Sequence, residues 1–164
     1  MGLKDWQDYN QVNPLIPRIM VQTKRGLTMG YVHAEIELSN PKEGTFGRLN
    51  TTALVDTGAL TLCIPEHVRL QLGLEEVEKR EITTAEGRRS LVPYVGPVMI
   101  RFQNRTAFVG ALVLGDEVLL GAVPMEDMDL VVIPSTRTLA VNPQSPNFPQ
   151  ALVKVVGCAV RTEL

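Results

Sequence analysis

A single Asp-Thr-Gly tripeptide, Asp56-Thr57-Gly58, is the feature of this chain best suited to chemistry. Two apolar residues lead into the Asp, and Ala59 follows the Gly. This order predicts a strand that ends in a tight turn and presents a carboxylate at the tip of a loop. Two adjacent carboxylates that share one proton can activate water by general acid–base catalysis. Because the tripeptide occurs once, such chemistry would need a second carboxylate from another copy of the chain.

The tripeptide also has a plain structural interpretation. An Asp-Ser/Thr-Gly sequence arises by chance in roughly one in ten chains of this length, and it often forms only a turn. The apolar residues before Asp56, the Ala after Gly58 and a later Leu-Leu-Gly run at 119–121 favour the chemical interpretation. We therefore predict that Asp56 is catalytic, or was so in an ancestor.

The composition indicates one ordinary globular domain. The chain has 164 residues, 45% of them apolar and 5% aromatic, with Gly and Pro spread along it. A formal net charge of −2 gives no electrostatic reason to expect nucleic acid or an anionic membrane as a partner. No apolar stretch approaches the roughly 20 residues that a transmembrane helix needs.

The cysteines and the N-terminus suggest a reducing compartment. Cys63 lies inside an apolar run and is expected to be a small buried residue without a nucleophilic role, whereas Cys158 lies in the tail. A disulfide stays possible, but a reduced chain is the preferred interpretation. Asp5 and Asp8 occupy the region where a signal peptide needs an apolar run, so we expect a cytoplasmic location.

Apolar spacing predicts many short strands and one helix. Pro65, Glu66 and Gly73 are typical of the first turn, the positive end and the C-terminal end of that helix. Most of the chain therefore favours an all-β, barrel-like domain. Strands are expected near residues 29–38, 49–55, 61–64, 78–84, 88–95, 98–102, 106–114, 118–120, 130–133 and 138–141.

From Met29 to Asn147 the chain resembles the retropepsin-like (clan AA) aspartic proteases, most closely their small single-domain bacterial members. Residues 53–59 match the signature around the family's catalytic Asp. Residues 84–88 stand where the family has its flap hairpin, and residues 119–121 match its second signature, two apolar residues and a Gly. The resemblance implies an all-β acid-protease barrel with one short helix, one lobe per chain and a homodimer.

The resemblance also implies a role for each matching residue. Asp56 of each subunit would supply one carboxylate, Thr57 would brace the partner's loop, and Gly58 would donate its backbone N–H to the carboxylate. An extended peptide or protein substrate would contact Ala59, Thr84, Ala85, Glu86, Gly87 and Arg88. Packing behind the catalytic loop would come from Leu119, Leu120 and Gly121. The mechanism implies no cofactor and no metal.

One departure from the family concerns the residue after Gly121. Retroviral enzymes have Arg and Asn there, and the Arg helps to hold the dimer, whereas this chain has Ala122 and Val123. An apolar strand expected over residues 152–160 is the predicted substitute. The expected organisation is an irregular arm over residues 1–27, the protease domain over 28–145, and a tail over 146–164 that includes a possible dimer strand.

The remaining polar residues have ordinary interpretations. His33 and His67 have no second ligand at metal-binding spacing and are expected on a strand surface and a helix surface. The acidic cluster of Glu126, Asp127 and Asp129 lacks the fixed pattern of a calcium loop and is expected to be solvated near a helix end.

Two functions besides the aspartic endopeptidase stay open from the sequence. The same dimeric fold could grip extended peptides by strand addition without cleaving them, or it could serve only to dimerise. A protein that only binds has no need to keep the acid, so the intact tripeptide favours the enzyme. Fold analogy by itself does not establish activity.

Overall fold

The computed structural model describes residues 30–42, 47–84 and 86–151, which contain nine strands and two short helices. The strands are β1 (His33–Ser39), β2 (Arg48–Val55), β3 (Leu62–Ile64), β4 (Glu76–Thr83), β5 (Arg89–Phe102), β6 (Arg105–Val113), β7 (Val118–Leu120), β8 (Leu130–Ile133) and β9 (Thr138–Val141). The helices are α1 (Glu66–Gln71) and α2 (Ala122–Asp127).

Six strands close into a barrel. The sheet order is β1-β2-β7-β3-β6-β5-β4, and β1 also pairs with β5, which closes the ring and leaves β4 outside as an edge strand. Most neighbours are antiparallel, but β2 pairs with β7 and β3 pairs with β6 in parallel. The strands β8 and β9 form a separate antiparallel hairpin.

Alternating side chains explain why the barrel has an apolar interior. In β1, His33 and Glu35 are exposed, whereas Ala34, Ile36 and Leu38 are buried. Successive side chains of a strand point to opposite faces, so one face of each strand lines the interior. The helix α1 adds Val68 to the same core, together with Leu72 just after the helix.

The predicted strands are confirmed with small shifts at their ends, and two other differences are informative. The segments predicted as separate strands over 88–95 and 98–102 are one strand, β5, whose pairing with β6 changes register between Val95 and Val98. A second helix, α2, forms where the sequence predicted only a helical turn, so the expectation of one helix was incomplete. Pro124 is compatible with α2 because the first backbone N–H groups of a helix have no partner within the helix.

Asp129 holds the segment that follows the last hairpin. Its carboxylate accepts hydrogen bonds from Asn142 Nδ2 at 2.9 Å, from the backbone N of Gln150 at 3.0 Å and from the hydroxyl of Ser145. The fully buried Arg105 donates to the carbonyl of Ser145. These hydrogen bonds tie the chain as far as Gln150 to the end of the helix α2 region.

Several predictions concern residues outside the described ranges. They are the irregular arm over 1–27, the tail strand over 152–160, Ala85 and Cys158. Within the described ranges, no helix is long and apolar enough to cross a membrane.

Candidate active site

Asp56 is the first residue after β2, and its carboxylate is held by its own turn. Asp56 Oδ1 accepts a hydrogen bond from the backbone N of Gly58 at 2.8 Å, which is the donor that the resemblance implied. The backbone N of Ala59 donates to the carbonyl of Asp56 at 3.1 Å and closes the turn. Asp56 is half-buried, while Thr57 and Gly58 are exposed. The loop therefore presents an oriented carboxylate to solvent or to a second molecule.

Backbone hydrogen bonds fasten this loop to the end of β7 and the start of α2. The backbone N of Asp56 donates to the carbonyl of Leu120 at 3.0 Å. In the other direction, Ala122 N donates to the Ala59 carbonyl at 2.8 Å and Val123 N donates to the Leu60 carbonyl at 2.9 Å. The second signature segment therefore lies directly behind the loop, where the resemblance placed it.

Gly121 is required by the closeness of this packing. A Cβ atom built on Gly121 would lie 2.3 Å from the carbonyl oxygen of Thr61 and 2.6 Å from that of Ala59. Both are backbone atoms, so no side chain can move aside to make room. Leu120 is fully buried and Leu119 is half-buried, and Leu119 pairs with Leu54 in the neighbouring strand.

Cys63 is buried close to Asp56 and is a free thiol. Burial, and then the negative charge of Asp56, raise the pKa of the Cys63 thiol to about 11. A thiol with this pKa is protonated at neutral pH and is a poor nucleophile. The prediction that Cys63 is a small buried residue is confirmed.

The predicted flap is the tip of the β4–β5 hairpin. Thr84 N donates to the Arg88 carbonyl at 2.8 Å, and Gly87, with φ of 79°, donates to the Thr84 carbonyl at 2.8 Å. Glu86 and Arg88 form an exposed ion pair across the tip. Among the described residues, no hydrogen bond or ion pair joins this tip to the Asp56 loop.

The acidic cluster after α2 divides into two kinds of residue. Glu126 and Asp127 are exposed, as predicted for a solvated helix end. Asp129 is half-buried, and hydrogen bonds from Ser145, Asn142 and the Gln150 backbone lower the pKa of its carboxyl to about 2. Its partners are far away in sequence and could not be read from local spacing. Within the ranges described, no cluster of His, Cys, Asp or Glu could hold a metal ion.

One feature near the loop was not predicted from the sequence. A pocket of about 330 Å³ is lined by Tyr31, His33, Leu54 and Glu117. The prediction that His33 lies on a strand surface is confirmed, but Glu117 gave no signal because it lies in a turn far along the chain. The parallel pairing of β2 with β7 brings the two segments together.

A closed barrel with an Asp-Thr-Gly loop packed against a second apolar-apolar-Gly strand defines a retropepsin-like fold. Comparison with solved structures agrees: the EIAV protease complexed with the inhibitor HBY-793 matches with a TM-score of 0.50 and 17% sequence identity. The match covers 66% of this chain and 97% of the viral protease. No protein-family model matches the chain, and no curated protein matches it by sequence. The likeness therefore establishes the fold.

Proposed function

We propose that this protein is an aspartic endopeptidase that acts as a homodimer, with Asp56 of each copy supplying one of two catalytic carboxylates. The observation that carries the proposal is the oriented Asp56 carboxylate, fixed by Gly58 N–H on a loop that is itself fastened to β7 and α2. In such a pair one carboxylate is ionised and removes a proton from water, while the protonated one donates to the carbonyl oxygen of the peptide bond. No covalent intermediate is needed.

The need for a second copy follows from the number of acids available. The Asp-Thr-Gly tripeptide occurs once in the chain. Two close carboxylates share a proton because they cannot both carry a charge at low cost. A two-fold axis beside Asp56 would bring two identical loops together and create the pair.

The surface beside the loop has the properties that such contact requires. Leu60 is 72% exposed and Val123 is 42% exposed, and a backbone hydrogen bond joins the two residues. Thr57 is exposed and, within the described part of the chain, its side chain has no hydrogen-bond partner. An apolar contact made by Leu60 and Val123 would replace the Arg that the retroviral enzymes have after the second Gly, and Thr57 would be free to bond the second copy.

The decisive experiment is a peptide-library cleavage assay across pH with wild type and Asp56→Asn. Asn keeps the shape of the side chain but cannot exchange the shared proton, so turnover should fall by several orders of magnitude while the far-UV spectrum and melting temperature stay close to wild type. Asp116→Asn is a matched control, since Asp116 is an exposed turn residue. A folded Asp56→Asn variant that retains turnover would reject the proposal.

The pH profile supplies a second test of the mechanism. A carboxylate pair that must hold one proton gives a bell-shaped dependence of rate on pH, with an optimum in the acidic range. Chelators should leave the rate unchanged. A rate that rises steadily to alkaline pH would indicate a different nucleophile.

The edge strand β4 favours one second candidate, a peptide-binding module without catalysis. Among the described residues β4 pairs with β5 alone, and its other edge would offer backbone groups to an extended peptide. If a peptide binds with equal affinity to wild type and to Asp56→Asn and is never cleaved, the binding module is the better description.

A further inference from the structure

The pocket beside the candidate catalytic loop combines four kinds of side chain. Leu54 supplies an aliphatic surface, Tyr31 an aromatic ring, His33 an imidazole and Glu117 a carboxylate. Tyr31 is 57% exposed, and Glu117 and His33 are also exposed, so the pocket is open to an incoming chain. The proposed catalytic step does not use any of these residues.

Strand pairing places the pocket next to the loop that carries Asp56. Leu54 is the last residue but one of β2, and Asp56 follows two residues later, just after the strand ends. His33 is directly opposite Leu54 in β1, and Leu119 is beside Leu54 in β7, with Glu117 two residues earlier. An extended peptide advances about 3.3 Å per residue. A substrate whose scissile bond lies at Asp56 would therefore place a nearby side chain over Leu54.

Two carboxylates, those of Glu117 and Glu35, lie at or beside the pocket. Glu117 forms no ion pair with any residue in the described ranges, so its carboxylate is available to a ligand. Glu35 is the next outward residue of β1 after His33, and its carboxylate accepts a hydrogen bond from Thr52. A long cationic side chain could lay its methylene groups on Leu54 and direct its charged end to Glu117.

We infer that this pocket is a specificity subsite that selects substrates with Lys or Arg next to the scissile bond. The inference rests on the proposed peptidase function, because it assigns a substrate preference to that same site. Glu117 acts by charge attraction and Tyr31 by contact between its ring face and the cation. Leu54 provides the apolar surface for the stem of the side chain.

The test compares matched fluorogenic peptides that carry Lys, Arg, norleucine or Glu at each position flanking the cleaved bond. Norleucine keeps the length of Lys and removes its charge. Wild type should show a kcat/KM about fivefold to tenfold higher for Lys or Arg than for norleucine, the size expected for one partly exposed charge contact with an aromatic neighbour. Glu117→Gln should remove most of this preference. Asp116→Asn is the control, because it removes one negative charge at the adjacent residue, which does not line the pocket. This variant should keep the preference for Lys or Arg over norleucine.

A binding measurement separates failure of the subsite from failure of the peptidase. The same peptides are titrated by fluorescence anisotropy into Asp56→Asn and into Asp56→Asn combined with Glu117→Gln, at about pH 7.5, where carboxylates are ionised. Tighter binding of the Lys peptide that is lost in the double variant supports the subsite even if no peptide is ever cleaved. Equal affinity for the Lys and norleucine peptides would overturn the subsite. A preference for Lys in cleavage that survives in Glu117→Gln would overturn it as well. Neither result contradicts the proposed peptidase function.

Discussion

Replacing Gly121 with Ala should displace the loop that carries Asp56. The new Cβ would lie 2.3 Å from the Thr61 carbonyl oxygen and 2.6 Å from that of Ala59, whereas ordinary contact begins at 3.4 Å. The atoms in the way belong to the backbone, so the strain cannot be relieved by rotating a side chain. The loop and Gly121 would have to separate by about 1 Å to restore normal contacts.

This separation has a cost that can be worked from the hydrogen bonds across the gap. The bonds from Ala122 N to the Ala59 carbonyl, at 2.8 Å, and from Val123 N to the Leu60 carbonyl, at 2.9 Å, would both stretch beyond hydrogen-bonding distance. Two lost bonds cost about 2 kcal/mol, and overpacking adds about 1–3 kcal/mol. A total of about 3–5 kcal/mol is a large share of the roughly 5–15 kcal/mol that stabilises a typical domain.

Urea unfolding and thermal melting measure this loss directly. We expect the melting temperature of Gly121→Ala to fall by roughly 10 °C and peptide cleavage to fall with it. Gly115→Ala is the control, because its Cβ would meet no atom within 4 Å and only its φ of 77° is unfavourable to Ala, at a cost of about 1 kcal/mol. Equal stability of the two variants would refute the close packing of the loop against Gly121.

Three further outcomes are expected. The pKa of Asp129 lies near 2, below its ordinary value of 3.8, so its contribution to stability is complete above about pH 4 and is lost as the pH falls toward 2. The free energy of unfolding, measured between pH 5 and pH 2, should therefore fall less steeply for Asp129→Asn than for wild type. Equal slopes of the free energy against pH would contradict the assignment. In a Cys158→Ser background the buried thiol of Cys63, with a pKa of about 11, should resist a maleimide at neutral pH until the protein unfolds, and rapid labelling of the native protein would argue against its burial. Leu60→Asp should weaken self-association in sedimentation experiments without lowering monomer stability, because Leu60 is 72% exposed, and an unchanged dissociation constant would place the contact elsewhere.

Local patterns in the sequence were sufficient for the strands, the first helix and the turn at Asp56. Alternation with a period of two is a property of neighbouring residues, so Ala34 and Ile36 of β1 could be assigned to the interior before the structure was known. The Asp-Thr-Gly turn is equally local, because the Gly58 N–H that holds the carboxylate is only two residues from Asp56. The retropepsin-like fold, expected from these signatures, is confirmed.

Only the tertiary structure decided which distant segments meet. The parallel pairing of β2 with β7 sets Glu117 near Leu54, although the two residues lie far apart in the chain, and no local pattern encodes that register. Asp129 looked like a solvated acid because its partners belong to a segment that returns only after the β8–β9 hairpin. A sequence determines local conformation through nearest-neighbour sterics and hydrogen bonding, whereas contacts between distant residues depend on how the strands close into a barrel, which is a property of the whole chain.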